Sequence, residues 1–127
     1  FRLVAFGPTI SVNIKRPMYP DQTSIEVCDS FVDFLKNAGY IVHHNEEKVL
    51  PNLSDKACMV QYDTKGEQKI EAMHGERNSE PGMTVVIKHA NLIFFIRYDA
   101  TVNYYFNKYM PAMEQIIGSF RILDELV

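Results

Sequence analysis

Apolar and polar residues alternate strictly from Ile10 to Lys15, which predicts a half-buried strand. Further along, Thr23 and Glu26 have the spacing of a capping box, in which each residue satisfies a backbone N–H of the other. Apolar residues then recur at helical spacing until Gly39, a residue suited to the left-handed conformation that ends many helices. We therefore predict a first helix that begins after Thr23 and stops at Gly39.

The second half of the chain is dominated by segments with the composition of strands, at residues 57–62, 68–73, 83–88 and 92–98. The last two flank His89 to Asn91 and predict a hairpin. An apolar stripe from near Thr101 to Gly118 predicts a second helix, with a kink or a break close to Pro111. Residues 40–42 are consistent with a short strand. The polar residues 43–55 and 75–82 are interpreted as loops, with a partly extended course as the alternative for 43–55.

This order of elements predicts an α+β fold, because the strands follow one another through turns and not through helices. Such strands form an antiparallel sheet, and the pattern alone favours two helices that cover one of its faces. We find no linker, repeat or low-complexity tract, so residues 1–127 are predicted to form a single domain.

Composition narrows the function classes. The hydrophobic fraction of 46% is typical of a globular protein, and the net charge of −3 argues against a nucleic-acid partner. The longest apolar run, Leu92 to Ile96, is far shorter than the ~20 residues that span a bilayer, so no membrane span is expected. Because the chain begins at Phe1 and not at Met, we expect a processed or truncated form that has lost any targeting segment.

Two cysteines, Cys28 and Cys58, lie too far apart for a C-x-x-C motif. They could form one disulfide or remain as buried thiols. The pattern favours buried thiols, because free cysteine is among the most buried residue types.

His43, His44, Glu46 and Glu47 form the densest cluster of possible metal ligands. Imidazole nitrogens and carboxylate oxygens are donors that Zn²⁺ and Mn²⁺ accept. The simpler alternative is a solvated polar loop. His74 with Glu76 is a weaker pair of the same kind, and Asn52 to Ser54 matches a glycosylation acceptor.

An aromatic group on the second helix suggests a surface for a protein partner. Tyr104, Tyr105 and Tyr109 combine large area with a polar hydroxyl, as interface tyrosines do. The alternative is that Phe106 and Met110 belong to the core and the tyrosines only cover its margin. No nucleophile motif or phosphate-binding glycine loop occurs, so we expect neither catalysis nor a bound cofactor.

Three segments resemble those of PsbP-like proteins: Asp55 to Tyr62, Asn91 to Thr101, and Tyr105 to Phe120, with its mid-helix Pro111 and terminal Ser-Phe. Together with the first helix, the resemblance extends over roughly residues 10–123. It implies an α/β/α sandwich built around an antiparallel sheet. It also implies a non-enzymatic role outside the cytoplasm, since plant and cyanobacterial members bind the lumenal side of photosystem II and many bacterial relatives are lipoproteins.

Proteins of the same fold include a Ran-binding transport factor and the Eag-type chaperones, which shield hydrophobic segments of secretion effectors. The resemblance thus implies an accessory domain that binds a protein partner, although an argument from fold is an analogy. The alternatives are a chaperone-like domain and a carrier of a small ligand or divalent metal. A homodimer is a further hypothesis, which requires that strands such as Leu92 to Ile96 lie near a sheet edge.

Overall fold

The computed structural model describes residues 9–50, 56–63, 81–100 and 103–122, which form five strands and two helices. The elements are β1 (Thr9–Lys15), α1 (Ser24–Asn37), β2 (Ile41–Lys48), β3 (Ala57–Asp63), β4 (Gly82–His89), β5 (Leu92–Asp99) and α2 (Asn103–Gly118). Among these residues the strands form one sheet in the order β1-β5-β4-β3-β2, and every neighbouring pair is antiparallel. The predicted α+β fold class is confirmed.

The two helices lie on opposite faces of the sheet, so the molecule is an α/β/α sandwich. On one face, Phe106 and Ile117 of α2 pack with Met83, Val85 and Ile87 of β4. The prediction from pattern alone, that both helices cover one face, is wrong. The reason is visible in β4, where consecutive residues are buried, as in strands that are covered on both sides.

Helix α1 occupies the other face. Its Cys28, Val32 and Leu35 belong to a second core cluster with Cys58 and Val60 of β3. Because side chains alternate along a strand, β3 supplies one set of residues to this cluster and the intervening set to the α2 cluster.

The start and end of α1 agree with the predicted signals. The Thr23 hydroxyl accepts a hydrogen bond from the Glu26 backbone N–H at 3.1 Å, and the Glu26 carboxylate accepts one from the Thr23 N–H at 3.0 Å. The Tyr19 hydroxyl also donates to Glu26, at 2.6 Å. These hydrogen bonds, that from Tyr19 foremost, hold the pKa of Glu26 below its ordinary value, because they favour the ionised carboxylate. After the helix, Gly39 has the positive φ of 92° that only glycine adopts readily.

Strand β2 is longer than the sequence suggested. Residues 43–48, which were interpreted as part of a loop, continue the strand and pair with β3 through a bulge between Val42 and His44. The loop interpretation was wrong because β2 is an edge strand. Its side chains can remain polar and exposed while its backbone completes the sheet.

Cys28 and Cys58 are joined by a disulfide, with their Cα atoms 6.5 Å apart. The interpretation of two free thiols was therefore wrong. Both residues are buried, as expected, but the packing of α1 on β3 brings them face to face, and the sequence does not encode that proximity locally.

Helix α2 continues through Pro111, so the break expected there does not occur. Proline removes the N–H that would bond to the carbonyl of Asn107, but Asn107 is exposed and water can satisfy that oxygen. On the inner side, the Tyr98 hydroxyl donates to the Phe106 carbonyl at 2.7 Å, and the two rings stack with centroids 4.8 Å apart. This pair holds α2 against β5.

The hairpin of β4 and β5 is confirmed, with Ala90 and Asn91 between the strands. Gly82 at its start lies against the ring of Tyr62, where an added Cβ would come within 2.5 Å of ring carbon Cε2. The ring is fixed by a hydrogen bond of 3.0 Å between the hydroxyls of Tyr62 and Thr84. Glycine is therefore required by the close approach of strand and ring.

β5 lies between β1 and β4 and is not an edge strand. The argument for a homodimer through Leu92 to Ile96 loses its premise, because the polar backbone groups of β5 pair within the chain. Several other predictions lie outside the described residues: the strand at 68–73, His74 with Glu76, and the acceptor at Asn52 to Ser54.

Candidate functional site

A groove of about 420 Å³ lies on the α1 face of the sheet, over β5 and β1. Helix α1 packs chiefly against β2, β3 and β4 and reaches β5 only at its near side, where Ile93 is buried and Phe31 contacts Phe95. The rest of that face, over β5 and β1, is not covered by the helix. The groove thus has a floor of strand residues, one wall formed by α1, and an open side above the β1 edge.

The floor is built by strand alternation. Ile93 and Phe95 of β5 point to the α1 face, and the β1 residues opposite them in register are Lys15 and Asn13. Thr84 of β4 completes the floor beneath α1. Since paired residues of antiparallel strands lie on the same side of a sheet, one short stretch of β1 and β5 supplies both apolar and polar groups to the groove.

The wall of the groove is the margin of the α1 face that packs on the sheet. Val27, Ser30, Phe31 and Phe34 line it, at the spacing i, i+3, i+4 and i+7 that places residues on one helix face. Val27 and Phe31 belong to or pack against the core cluster, and Ser30 and Phe34 lie outside it. Phe31 contacts the edge of the Phe95 ring at a centroid distance of 6.3 Å, which closes the base of the groove. Phe34 is 64% exposed, although a phenyl ring contributes most to the stability of a fold when it is buried.

The mouth of the groove is basic. Lys15, Arg16 and Arg97 line it, and none of the described residues that line it is acidic. The ammonium group of Lys15 lies 5.4 Å from the centroid of the Phe95 ring. Arg97 shares its charge with Asp99, which is 2.8 Å away, just outside the groove. In a chain of net charge −3, this is a local concentration of positive charge beside apolar surface.

The predicted partner-binding tyrosines lie on α2, on the opposite side of the molecule. Tyr104 is 64% exposed and Tyr109 is 38% exposed, whereas Tyr105 is half-buried and packs against the core. Lys108 lies over the Tyr104 and Tyr109 rings, at 5.6 and 5.5 Å from their centroids. Two of the three residues are thus accessible, and their role in binding stays a prediction.

The predicted metal ligands lie on β2. Glu46 pairs with Met59 and Glu47 with Cys58, so the two carboxylates point to opposite faces of the sheet. His43 is exposed, and the His44 side chain is not among those described. Within the described part of the chain, no three His, Cys, Asp or Glu residues are grouped closely enough to hold a metal. The metal site stays a prediction, and the geometry of β2 gives it no support.

Sequence reasoning missed the groove residues, although two signals pointed to them. Phe34 lies one turn beyond Phe31 on α1 and outside the set of apolar residues that faces the sheet, so α1 has more apolar surface than that contact requires. The adjacent cations Lys15 and Arg16 directly follow the alternating strand. Neither signal shows that the two stretches meet.

Comparison with known proteins adds a fold relative. No protein-family model matches the chain, and no curated protein sequence matches it. The chain is similar in structure to PA94 of Pseudomonas aeruginosa, a protein of unknown function, with a TM-score of 0.57 and 15% sequence identity. The match covers 91% of this chain and 85% of that one. At this identity the similarity is one of fold alone. Neither α1 nor α2 is long and apolar enough to cross a membrane.

Proposed function

We propose that this chain is a non-catalytic accessory domain, of the PsbP-like kind, that associates with a protein complex through the groove beside α1. The observation that carries the proposal is the uncovered part of the sheet face, bordered by the exposed apolar side chains of Phe34 and Met18. Folding alone would favour the burial of Phe34 and its neighbours, since each buried aromatic side chain contributes about 2–3 kcal/mol. A surface that leaves them accessible is typical of an interaction site.

A polypeptide suits this groove better than a small ligand does. Small-molecule sites are concave and bury about 70–90% of the ligand surface. Here Phe34 is 64% exposed and Met18 is 88% exposed, and the side above β1 is open. A bound segment of a larger partner can gain the remaining contacts outside the groove. Shielding of an apolar partner segment, as a chaperone would do, is the alternative that uses the same surface.

The disulfide supports a role outside the cytoplasm. Structural disulfides persist in oxidising compartments and are rare in the reducing cytosol. The bond between Cys28 and Cys58 connects α1 to β3, so it fixes the helix that forms the groove wall. The metal-carrier alternative has less support, because Glu46 and Glu47 point to opposite faces.

The test uses two matched variants of the purified domain as bait in an extract of its native source. Phe34→Asp changes the groove wall and Tyr104→Asp changes the α2 surface; both residues are 64% exposed, so the two substitutions introduce the same charge at equal exposure. Circular dichroism and a thermal melt confirm that each variant is folded. Bound proteins are identified by mass spectrometry, with and without EDTA.

We expect the wild type and Tyr104→Asp to hold a common partner in both conditions and Phe34→Asp to lose it. Loss with Tyr104→Asp alone would move the contact to the α2 tyrosines. A partner released by EDTA would favour the metal hypothesis at His43 to Glu47. The absence of any partner for the wild type would overturn the proposal.

A further inference from the structure

We propose that the segment bound in the groove is an acidic amphipathic helix of the partner polypeptide. The inference rests on the proposed function and specifies what the groove recognises. Three features lead to it: the width of the uncovered sheet, the apolar surface on two sides of the groove, and the sign of the charge at its mouth.

The width of the uncovered sheet matches one helix. The groove lies over β5 and β1, and adjacent strands are about 4.8 Å apart, so two strands present roughly 10 Å of surface. A helix with its side chains has a diameter of about 10–12 Å. A second helix laid beside α1 would complete the layer on this face, much as helices cover the faces of other sandwiches. An extended peptide would pair with a sheet edge instead and would not use the floor.

The apolar surface defines the inner side of the bound helix. Phe95 is below it, Ile93 being already buried under α1, and Phe31 and Phe34 are beside it, so contacts come from the floor and from one wall. To contact the floor and the wall together, a bound helix must carry an apolar stripe wider than a single row of residues. This is the pattern of a helix that packs in a groove. The exposed amide of Asn13 can pair with polar residues at the margin of that stripe.

The positive charge at the mouth of the groove predicts which residues lie on the outer side of the bound helix. Lys15 and Arg16 lie at the mouth where β1 ends, beside Arg97, which is paired with Asp99, and no acidic residue is among the described residues that line the groove. Glu or Asp side chains on the exposed flank of the bound helix would face these cations at the solvent boundary. Such charges at an interface margin contribute mainly to specificity and to the rate of association, and salt screens them.

The experiment selects the ligand without assuming its identity. A displayed library of random peptides of about 14 residues, which spans roughly 21 Å as a helix, is selected on the wild-type domain. Enriched peptides are synthesised, and their affinity is measured by fluorescence anisotropy. The test variant is Lys15→Glu with Arg16→Glu. The control variant, Lys36→Glu with Lys108→Glu, reverses two exposed cations outside the groove, one of which also lies over aromatic rings.

We expect enriched peptides to carry apolar residues at helical spacing together with Asp or Glu. Their affinity should fall about tenfold in the test variant and stay unchanged in the control, and it should weaken as NaCl rises from low to high concentration. Peptides poor in Asp and Glu, equal affinity for the test variant, or no enrichment relative to Phe34→Asp would each overturn the inference. If the native partner loses affinity for Phe34→Asp but binds the Lys15→Glu, Arg16→Glu variant as well as the wild type, the proposed function stands and the acidic-helix inference is wrong.

Discussion

The disulfide between Cys28 and Cys58 closes a loop of chain with a sequence separation of 30 residues. Removing this covalent link leaves α1 held to β3 by their packing and by the hydrogen bond from the Ser24 hydroxyl to the Lys56 carbonyl. We therefore predict a large loss of stability on reduction, while the fold itself remains the same. Reduction is a cleaner perturbation than substitution, because it removes the covalent bond and leaves both sulfur atoms in the buried core.

The magnitude follows from the length of the closed loop. Cross-linking removes conformational entropy from the unfolded chain by about 2.1 + 1.5R ln n cal/mol/K, where n is the number of residues in the loop. For n near 30 this is about 12 cal/mol/K, or roughly 3.6 kcal/mol at 25 °C. If the free energy of unfolding falls by about 2 kcal/mol per molar urea, the urea midpoint of unfolding should fall by about 1.8 M on reduction.

The assay is urea unfolding followed by far-UV circular dichroism, with the oxidised protein and the TCEP-reduced protein compared side by side. A Cys28→Ala, Cys58→Ala variant should unfold at a midpoint no higher than the reduced protein, and TCEP should have no effect on it. Identical midpoints for the oxidised and reduced wild type would refute the reasoning. The detection of two free thiols in unfolded protein that had never been exposed to a reductant would also refute it.

Three further predictions concern single side chains. Gly82→Ala should lower the free energy of unfolding by roughly 1–3 kcal/mol because of the fixed aromatic ring beside it. At Gly118, an added Cβ would have no other part of the described structure within 4 Å beyond its own helix and chain neighbours, so Gly118→Ala should raise the free energy of unfolding by about 0.5–1 kcal/mol. In urea unfolding, equal effects at the two glycines would contradict the close approach. Tyr98→Phe should cost about 1 kcal/mol through the lost bond to Phe106, and no change would mean that this bond contributes nothing. Because its pKa is lowered in the folded state, Glu26 stabilises the fold above its unfolded pKa, and that contribution is lost as pH falls through the unfolded pKa and then through the lower folded pKa. Glu26→Gln should flatten the decline in thermal stability over that range, and an unchanged decline would exclude this contribution.

The elements that the sequence predicted well are those with local causes. The first helix was identified by Thr23, Glu26 and Gly39, and all three act within a few residues of their own positions. The hairpin of β4 and β5 was identified in the same way, since its strands are neighbours in the chain. An α+β fold with an antiparallel sheet follows from these elements because short turns cannot connect parallel strands.

The errors have non-local causes. Residues 43–48 are polar and resemble a loop, but β3 pairs with them and makes them an edge strand. A kink or a break was predicted near Pro111; the break does not occur, because Asn107 one turn earlier is exposed and water can satisfy its carbonyl. Each error arises where a partner from another part of the chain, or the solvent, supplies what the local sequence lacks.

The sequence by itself determined the helix ends, the central hairpin and the candidate tyrosines and metal ligands, because each depends on residue type and short spacing. Only the tertiary structure decided that the helices lie on opposite faces, that Cys28 meets Cys58, and that Phe34 and Lys15 border one groove. These relations join segments that are distant in the chain. They depend on which face of α1 packs on the sheet and on how many strands it covers, and neither is set by any local pattern.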